Sequence, residues 1–356
     1  MSHSVRLFLK LFLGLTLLVS GFGAAIAADN DEPIQIKMVI VTMFEIGEDE
    51  GDAPGEFQLW KERMDLDTQI PFPHSHHDIF MNEERGILGI VTGMGSIKSA
   101  TAVMALGLDP RFDLSKAYWL VAGIAGIDPE DASVGSAAWA KYLVDGDLAH
   151  EIDAREIPDE WTTGYFPYQG NTPYDPNMPE NKGEMFVLNA SLVDWAFSKT
   201  KDIDLGDDEA IQKHRSEYEG YPNAQKPPFV LIGDQLAAMT FWHGELMNDW
   251  ANQWTRYWTE GKGEFVTSAM EDTGSFQSIT YLHESGKVDK NRFMVLRTGS
   301  NYTMPPKGVT AADNFLHIDH GGYAGLTIAL ESAYKVGAVI VNEIVDNWPN
   351  YENSVP

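Results

Sequence analysis

Three residues in the last third of the chain have the chemistry of a small-molecule binding site. Met270 and Glu271 lie in the stretch Ser268–Gly274, and Asn301 ends the stretch Arg297–Asn301. A thioether can lie against a sugar face, and a carboxylate can accept hydrogen bonds from two vicinal hydroxyls. A carboxamide can hydrogen-bond the edge of a heterocycle. The combination suits a nucleoside.

The elements around these three residues predict that they meet at one rim of a sheet. Phe293–Leu296 is an apolar run typical of a buried strand, and the asparagine follows that strand. The methionine and glutamate open a predicted helix that Thr267 or Ser268 can cap. In open α/β sheets, ligands bind just beyond the carboxyl ends of strands, where loops lead into helices.

Two glycine-rich turns follow predicted strands and are candidates for holding water or phosphate. They are Thr92–Gly95 and Ala122–Gly126, and the predicted contact residues are Gly93, Gly95 and Gly123. Glycine lets backbone N–H groups approach a ligand closely, and a following helix N-terminus favours an anion. The alternative is that both turns are ordinary tight connections between a strand and a helix.

Acidic residues are concentrated in the loop after the first predicted strand. Glu45, Glu48 and Glu56 lie there, on the rim that the other turns share. One carboxylate at this place can orient or deprotonate an attacking water molecule, and we take Glu45 and Glu48 as the catalytic candidates. The alternative is a solvated acidic loop.

Aromatic residues lie together between residues 240 and 258. Phe241 and Trp242 can line a pocket, because flat heterocyclic bases stack well on aromatic rings. Trp250, Trp254 and Trp258 recur at a spacing of four on one helical face. That spacing favours packing in the core or at an oligomer interface.

A histidine-rich loop raises the question of a metal. His74, His76, His77 and Asp78 lie in a loop with prolines, without the helical spacing found in the familiar zinc hydrolases. The chain has no cysteine, so a thiol nucleophile is excluded. We predict no metal and no cofactor.

Residues 1–28 have the pattern of a secretory signal peptide. Arg6 and Lys10 precede the apolar run Leu11–Phe22, and small residues end the segment at Ala25–Ala27. The alternative, an uncleaved membrane anchor, requires a longer apolar run. The expected location is therefore outside the cytoplasm, in a periplasm or the extracellular space.

Composition limits the function of the remaining chain. A formal net charge of −28 repels phosphate backbones and anionic lipid head groups, which excludes nucleic acid and membrane surfaces as partners. Hydrophobic residues make up 44% of the chain, enough for a large core without disulfides. No second apolar stretch is long enough to span a bilayer, so transport would need a separate membrane partner.

Strands alternate with helices along residues 29–356, which predicts one α/β domain, a three-layer α/β/α sandwich with a central mixed sheet. Residues 151–228 are rich in Pro, Asn, Tyr and charge, and we interpret them as an irregular insertion or lid. The predicted strands include Ile34–Val41, Gly86–Val91, Ala117–Val121 and Ala338–Val341, and the predicted helices include Ile97–Leu108 and Gly325–Val336.

The order of these motifs resembles the nucleoside phosphorylases and methylthioadenosine nucleosidases. The motifs in that order are Val91–Ala100, Leu120–Ile127, Val134–Ser136, Gly233–Asp234, Ala269–Glu271 and Arg297–Asn301. With Gly244–Gly263 and the ending Gly321–Trp348 included, the chain more closely resembles the purine nucleoside permease family. That resemblance covers nearly all of residues 33–350.

The resemblance implies roles for particular residues. Met270 and Glu271 match the residues that bind ribose, with the glutamate accepting from the 2′ and 3′ hydroxyls. Asn301 stands where the nucleosidases carry an aspartate that protonates purine N7. An amide donates a hydrogen bond but transfers no proton, so the acid role is weakened. Asn301 is thus placed with Phe241 and Trp242 at the base, and with the loop carboxylates in catalysis.

Two substitutions relative to the superfamily bear on the nucleophile. Gly123 stands where a Ser usually touches phosphate or water, and Leu120 stands where bacterial hexameric phosphorylases place a phosphate-binding Arg. Phosphorolysis needs cations to hold phosphate, whereas hydrolysis needs only a positioned carboxylate. If the site is catalytic, the sequence favours hydrolysis.

Two functional classes stay open at this stage. The first is an exported protein that binds purine nucleosides for uptake together with a membrane transporter. The second is an enzyme that cleaves the N-glycosidic bond of purine nucleosides, a ribohydrolase rather than a phosphorylase. The superfamily resemblance also implies a homo-oligomer.

Overall fold

The structure is a computed structural model that describes residues 32–321 and 323–356, and for residues 317–321 it describes the backbone alone. The predicted signal peptide lies outside the described residues. The strands in chain order are β1 (Ile34–Gln35), β2 (Met38–Thr42), β3 (Thr68–Ile70), β4 (Ile79–Asn82), β5 (Ile87–Val91), β6 (Phe112–Asp113), β7 (Tyr118–Ile127), β8 (Ala137–Trp139), β9 (Tyr142–Asp145), β10 (Ala149–Glu151), β11 (Tyr165–Pro167), β12 (Met185–Val187), β13 (Val230–Ile232), β14 (Asp234–Ala237), β15 (Phe265–Ala269) and β16 (Phe293–Tyr302). The helices are α1 (Gln58–Arg63), α2 (Ser96–Gly107), α3 (Ala190–Thr200), α4 (Glu209–Ser216), α5 (Glu245–Trp258), α6 (Asp272–Glu284), α7 (Ala311–Gly321), α8 (Leu326–Asp346) and α9 (Trp348–Tyr351), with a 3-10 turn at Lys290–Arg292.

Within the described residues, twelve strands form one mixed sheet. Strand β2 lies parallel between β5 and β7, and β16 runs parallel to β7 along most of its length. Strand β15 pairs antiparallel with the end of β7, and β8 pairs antiparallel with β16. The central strands β2, β5, β7 and β16 are almost wholly buried, as expected for apolar runs covered on both faces.

Helices cover both faces of this sheet. Phe293 of β16 packs against Phe276 of α6, with ring centroids 5.1 Å apart. Leu120 of β7 has the opposite orientation, since its neighbour Trp119 pairs with Phe293. A Cβ on Gly337 of α8 would lie 3.1 Å from Leu120 Cδ2, so α8 packs closely on that other face. The predicted three-layer α/β/α sandwich with a central mixed sheet is confirmed.

Two segments predicted as loops continue as strands. Ala122–Gly126 belongs to β7, and Arg297–Asn301 belongs to β16. The two strands pair with each other from Phe293 and Trp119 as far as Tyr302 and Ile127, so main-chain hydrogen bonding carries both past their apolar runs. The polar residues therefore project from the sheet itself.

Two further boundaries were wrong. Thr267 and Ser268 lie in β15 and cap no helix, since α6 begins at Asp272. Ala338–Val341 is part of the long helix α8 rather than a strand. The apolar run there follows helical spacing: Val336, Ile340 and Ile344 are buried at intervals of four.

Part of the segment 151–228 is built into the main core. Strand β12 pairs with β9 at the end of the sheet, and α3 buries Leu192, Val193 and Ala196 in the central apolar cluster. Contacts group residues Pro33–Pro356 as one compact unit. In the part of the chain that is described, no helix has both the length and the apolar character needed to cross a membrane.

The side chain of Asp234 links the connection between β8 and β9 to the start of β15. Replacing this residue tests how much the link stabilises the fold. Its buried carboxyl group accepts hydrogen bonds from the main-chain N–H groups of Lys141, Tyr142 and Glu264, at 2.8 to 3.0 Å. Asp234→Ala leaves those donors without partners, and we expect the free energy of unfolding at pH 7 to fall by about 3 kcal/mol or more.

The matched control is Asp194→Ala, which removes a carboxylate that is 56% exposed and pairs with Lys141 at the surface. Its expected cost is below about 1 kcal/mol. Denaturant unfolding followed by fluorescence measures both variants, and equal costs would contradict the role given to Asp234.

Candidate active site

A cleft opens where β2, β7, β15 and β16 end. Its empty volume is about 680 Å³, part of which is open to solvent. The residues that line it are Met43, Phe44, Glu56, Met94, Ile124, Ala125, Gly126, Phe241, Ser268, Ala269, Met270, Glu271, Arg297, Ser300, Asn301 and Tyr323. None of the residues in this lining comes from segment 151–228.

The pairing of β7 with β15 and β16 determines which residues form the floor of the cleft. Gly126 of β7 pairs with Ser268 on one side and with Asn301 on the other. A Cβ at Gly126 would lie 3.5 Å from Asn301 Nδ2 and 3.9 Å from Ser268 Cβ, so the two side chains flank the glycine. The structure therefore brings Met270, Glu271 and Asn301 into one cleft.

Glu271 is held by three donors at the start of α6. One carboxylate oxygen accepts from Gly95 N at 2.9 Å. The other accepts from Met270 N at 3.2 Å and from the Arg297 guanidinium at 2.9 Å. Because a carboxylate has about four acceptor sites, about one remains for a ligand.

Arg297 is a buried positive charge at this end of the cleft, and the surrounding carboxylates are arranged around it. The side chain is 2% exposed and donates to both carboxylate oxygens of Asp272, to Glu271 and to the carbonyl oxygen of Ile124. Burial acts to lower the pKa of Arg297, but the Asp272 and Glu271 carboxylates outweigh it and raise that pKa above its usual value.

Glu56 is the loop carboxyl group that reaches the cleft. One of its oxygens accepts from Met43 N at 2.8 Å and the other from Ile124 N at 2.7 Å. Burial is the main cause that raises the pKa of Glu56 to about 8, with Glu271 adding to it and Arg297 opposing it. A carboxyl group with this pKa can exchange a proton near neutral pH.

Glu45 and Glu48, our catalytic candidates, lie elsewhere. The Glu45 carboxylate accepts from the main-chain N–H groups of Gly55, Phe57 and Gln58, so it holds the loop at the start of α1. Glu48 is exposed. Neither residue lines the cleft. The sequence indicated Glu56 only indirectly, because a buried arginine in β16 requires carboxylates around it.

None of the three glycines predicted to hold water or phosphate is among the described residues that line the cleft. Gly95 has a φ of +97° and gives its N–H to Glu271. Gly93 is outside the cleft lining, beside Lys98. At Gly123, a Cβ would lie 2.6 Å from the Arg297 guanidinium and closer still to Glu56, so only glycine lets these two groups approach.

The aromatic residues divide between the cleft and the core. Phe241 lines the cleft, is 40% exposed and stacks near Tyr323. Trp242 lies in a smaller adjoining cavity that shares Asn301 as a wall. Trp250, Trp254 and Trp258 are buried in an apolar cluster under β14 and β15, so they pack in the core.

The histidine loop makes a local pair. His77 Nδ1 lies 2.5 Å from Asp49 Oδ1. Across the described residues, no group of three or more His, Asp or Glu side chains is arranged to hold a metal ion.

Comparison with known proteins decides the family. The model of the family described as purine nucleoside permease (NUP) matches residues 35–356. The chain belongs to the purine nucleoside permease family. A probable purine nucleoside permease of Schizosaccharomyces pombe is 29% identical over 325 residues, covering 88% of this chain and 90% of that protein. A purine nucleoside permease of Candida albicans is 31% identical over 323 residues, covering 88% and 76%.

Solved structures share the fold of this purine nucleoside permease family member. Futalosine hydrolase of Helicobacter pylori superposes with a TM-score of 0.52 at 15% identity, covering 87% of this chain and 98% of that one. The 5′-methylthioadenosine/S-adenosylhomocysteine nucleosidase of Neisseria meningitidis gives 0.50 at 15% identity, covering 87% and 99%. At this identity the likeness shows the fold alone.

The raised pKa of Glu56 predicts a pH dependence of stability. The folded state holds the Glu56 proton more tightly than the unfolded chain, so the stabilisation from that proton is complete below pH 4.5 and lost as pH rises to about 8. Between pH 5 and 8, wild type should lose stability relative to Glu56→Gln, by up to about 1.4 kcal/mol per pH unit.

Denaturant unfolding at unit pH intervals measures the difference between the two proteins. Glu48→Gln is the control, because that exposed carboxylate should leave the curve parallel to wild type. Parallel curves for wild type and Glu56→Gln would show that Glu56 ionises normally.

Proposed function

We propose that the cleft binds a purine nucleoside, and that the protein serves nucleoside uptake. The observation that carries the proposal is the placement of Glu271 and Asn301 in one cleft, with Phe241 at its open side. A carboxylate, a carboxamide and an aromatic ring are the groups needed for a sugar, a base edge and a base face.

The ribose lies on Met270 and Glu271 in this proposal. Gly95, Met270 and Arg297 fix the Glu271 carboxylate and leave about one acceptor site open. A fixed carboxylate accepts a hydroxyl proton without having to order itself first, which strengthens the contact. We therefore assign one ribose hydroxyl to Glu271, where two were expected from the sequence.

The base lies between Phe241 and the floor of the cleft. Met94, Ile124 and Ala125 add apolar surface, and Asn301 supplies the polar contact at the base edge. The charged residues Arg297, Glu271 and Glu56 are all at the sugar end. A nucleoside has the same division, because its sugar carries the hydroxyls and its base is flat and largely apolar on its faces.

Uptake and export extend the proposal beyond the cleft. Curated relatives are named purine nucleoside permease, which supports a role in moving nucleosides. The charged start, apolar run and small residues of the first 28 positions support export through a cleaved signal peptide. A separate membrane transporter receives the nucleoside in this proposal.

Replacing Glu271 with Gln tests the ribose contact. The amide loses the charge that accepts the hydroxyl hydrogen bond, and a charge-assisted bond is worth about 1.5–3 kcal/mol. We expect Glu271→Gln to bind adenosine about 10- to 150-fold more weakly than wild type in titration calorimetry.

Glu48→Gln provides the matched control, since it removes the same charge outside the cleft and should keep wild-type affinity. Equal affinity of wild type and Glu271→Gln would remove the ribose assignment.

A second candidate function is hydrolysis of the N-glycosidic bond, favoured by Glu56. In this reaction the oxygen of water forms a bond to ribose C1′, and the bond from C1′ to purine N9 breaks. Its electron pair leaves with the base. The water proton passes to the Glu56 carboxylate, and solvent protonates the departing base because Asn301 cannot.

Phosphate is a poor nucleophile for this site. Among the cleft-lining residues that are described, Arg297 is the one cation, and Asp272 and Glu271 already neutralise it. These two carboxylates outnumber the single guanidinium, so the local charge is negative and a phosphate anion is repelled.

Incubating the purified protein with adenosine separates binding from turnover. Free adenine and ribose formed without phosphate, and lost in Glu56→Gln while adenosine still binds, would establish the hydrolase. Saturable binding with no base released establishes the uptake protein. Release that depends on phosphate would contradict the assignment of Arg297.

A further inference from the structure

A second cavity lies between the hairpin of β10 and β11 and the segment that joins β14 to α5. Its empty volume is about 470 Å³, part of which is open to solvent. Glu271, Arg297 and Asn301 do not line it. The cavity is therefore separate from the cleft described above, and its lining has to be explained on its own.

Three aromatic rings line this cavity and contact one another. The ring centroid of Trp250 lies 4.7 Å from that of Tyr165 and 6.1 Å from that of Trp242, with the two indole planes at 84°. Trp250 is 3% exposed and belongs to the apolar cluster under β14 and β15, so it is a rigid part of the wall. The face of an aromatic ring attracts a cation that lies within about 6 Å of its centroid. Two indoles close to a right angle form a corner in which one cation can contact more than one ring.

Two carboxylates border the same cavity. Asp147 follows β9, and Glu151 is the last residue of β10. One Asp147 oxygen accepts from Met239 N at 2.7 Å, which holds this carboxylate in place and leaves its other oxygen for a ligand. Among the residues that the structure describes, no Lys, Arg or His lines the cavity. No positive charge in the lining therefore balances the two negative charges.

The pKa values of the lining groups agree with this excess of negative charge. Burial is the main cause that raises the pKa of Tyr165 to about 12, and the Glu151 and Asp147 carboxylates add to it. Burial also raises the pKa of Asp147, and the neighbouring Asp145 carboxylate adds to it. A cation bound between these groups would favour the ionised form of each of them.

The lining selects one class of ligand. The two carboxylates repel anions, and they supply too few oxygen atoms for a calcium ion, which takes six to eight. A neutral apolar ligand would separate the carboxylates from water without replacing their hydrogen bonds. An organic ammonium ion combines a positive charge with a surface of methyl or methylene groups, which matches carboxylates and aromatic rings together.

We propose that this cavity is a second ligand site, which binds a small organic ammonium ion. The positive nitrogen lies on the rings of Tyr165, Trp242 and Trp250, beside the carboxylates of Asp147 and Glu151. The proposal does not require nucleoside binding in the cleft. The two sites are nevertheless neighbours, because Trp242 also lines the small cavity that has Asn301 as a wall.

Choline and its neutral isostere 3,3-dimethyl-1-butanol test the proposal on the wild-type protein. The two molecules share their shape and their hydroxyl group, and they differ in a quaternary nitrogen that replaces a carbon. Ligand-observed NMR titration at constant sodium chloride concentration measures both dissociation constants. We expect choline to bind saturably, and at least about 10-fold more tightly than the alcohol, because only choline carries the charge.

Three variants locate the bound cation. Tyr165→Leu removes one ring and should weaken choline binding about 2- to 30-fold. Asp147→Asn and Glu151→Gln keep the shape of each side chain but remove its charge, and each should weaken binding about 2- to 5-fold. Tyr281→Leu and Glu160→Gln are the matched controls. Both residues are exposed and lie outside the cavity lining, so the wild-type affinity for choline should be kept.

The outcomes decide the proposal separately from nucleoside binding. Equal affinities for choline and the alcohol, or choline binding that all three variants leave unchanged, would overturn the second site. Choline binding in a protein that does not bind adenosine would support the second site and overturn only the nucleoside proposal. Should Tyr165→Leu fail to fold, the two carboxylate variants and the pair of ligands decide the question.

Discussion

The site depends on a positive charge enclosed inside the protein. A guanidinium without access to solvent is tolerated only when carboxylates and carbonyl groups surround it, because desolvating an unpaired charge costs several kcal/mol. Arg297 meets this requirement with Asp272, Glu271 and the carbonyl oxygen of Ile124. The start of α6 and strands β7 and β16 must therefore meet at one point, and that point is the polar end of the cleft.

The same constraint explains the small residues and the fixed ligand groups around it. Gly123 leaves the space in which Glu56 and Arg297 approach, and Gly95 directs its N–H at Glu271. Glu271 is consequently rigid before any ligand arrives. Burial of the Glu56 carboxyl group is the main reason why its pKa is raised, and Glu271 adds to it. Asp272 and Glu271 outnumber the one guanidinium, which in our proposal disfavours an anionic co-substrate. The stability of the fold, the pKa of Glu56 and the choice of ligand therefore all depend on one cluster of buried charged groups.

The fold and the family could be predicted from the sequence, as could the placement of Met270, Glu271 and Asn301 at one rim of the sheet, because these depend on local patterns. The apolar runs of β2, β5, β7 and β16 and the motifs around Met270 and Asn301 are continuous in the chain. It failed at Glu45 and Glu48, since three glutamates in one acidic loop look alike until packing decides between them. The continuation of β7 and β16 through glycine-rich segments was also missed, because pairing between strands overrides the weak strand preference of glycine.

A β-bulge at Ser300, where Gly299 pairs with Ala125 and Asn301 pairs with Gly126, also could not be predicted from the sequence. Nothing in the stretch Arg297–Asn301 indicates that one residue lacks a partner on β7, yet this displacement brings a hydroxyl beside the Asn301 amide. The sequence predicted that Asn301 lies near the purine base of a bound nucleoside. The orientation of its amide follows from the hydrogen bond that Asn301 Nδ2 donates to the carbonyl oxygen of Tyr302, a contact set by the folded sheet.

The central claim is that one cleft holds the sugar at Glu271 and the base at Asn301. A crystal structure of residues 29–356 soaked with adenosine tests it most directly. We expect electron density for one ribose hydroxyl on the Glu271 carboxylate and for an edge of the adenine base on the Asn301 amide, with Phe241 against the face of the base. Adenosine bound at another place, or bound here with its base at Arg297 and its sugar at Asn301, would contradict it.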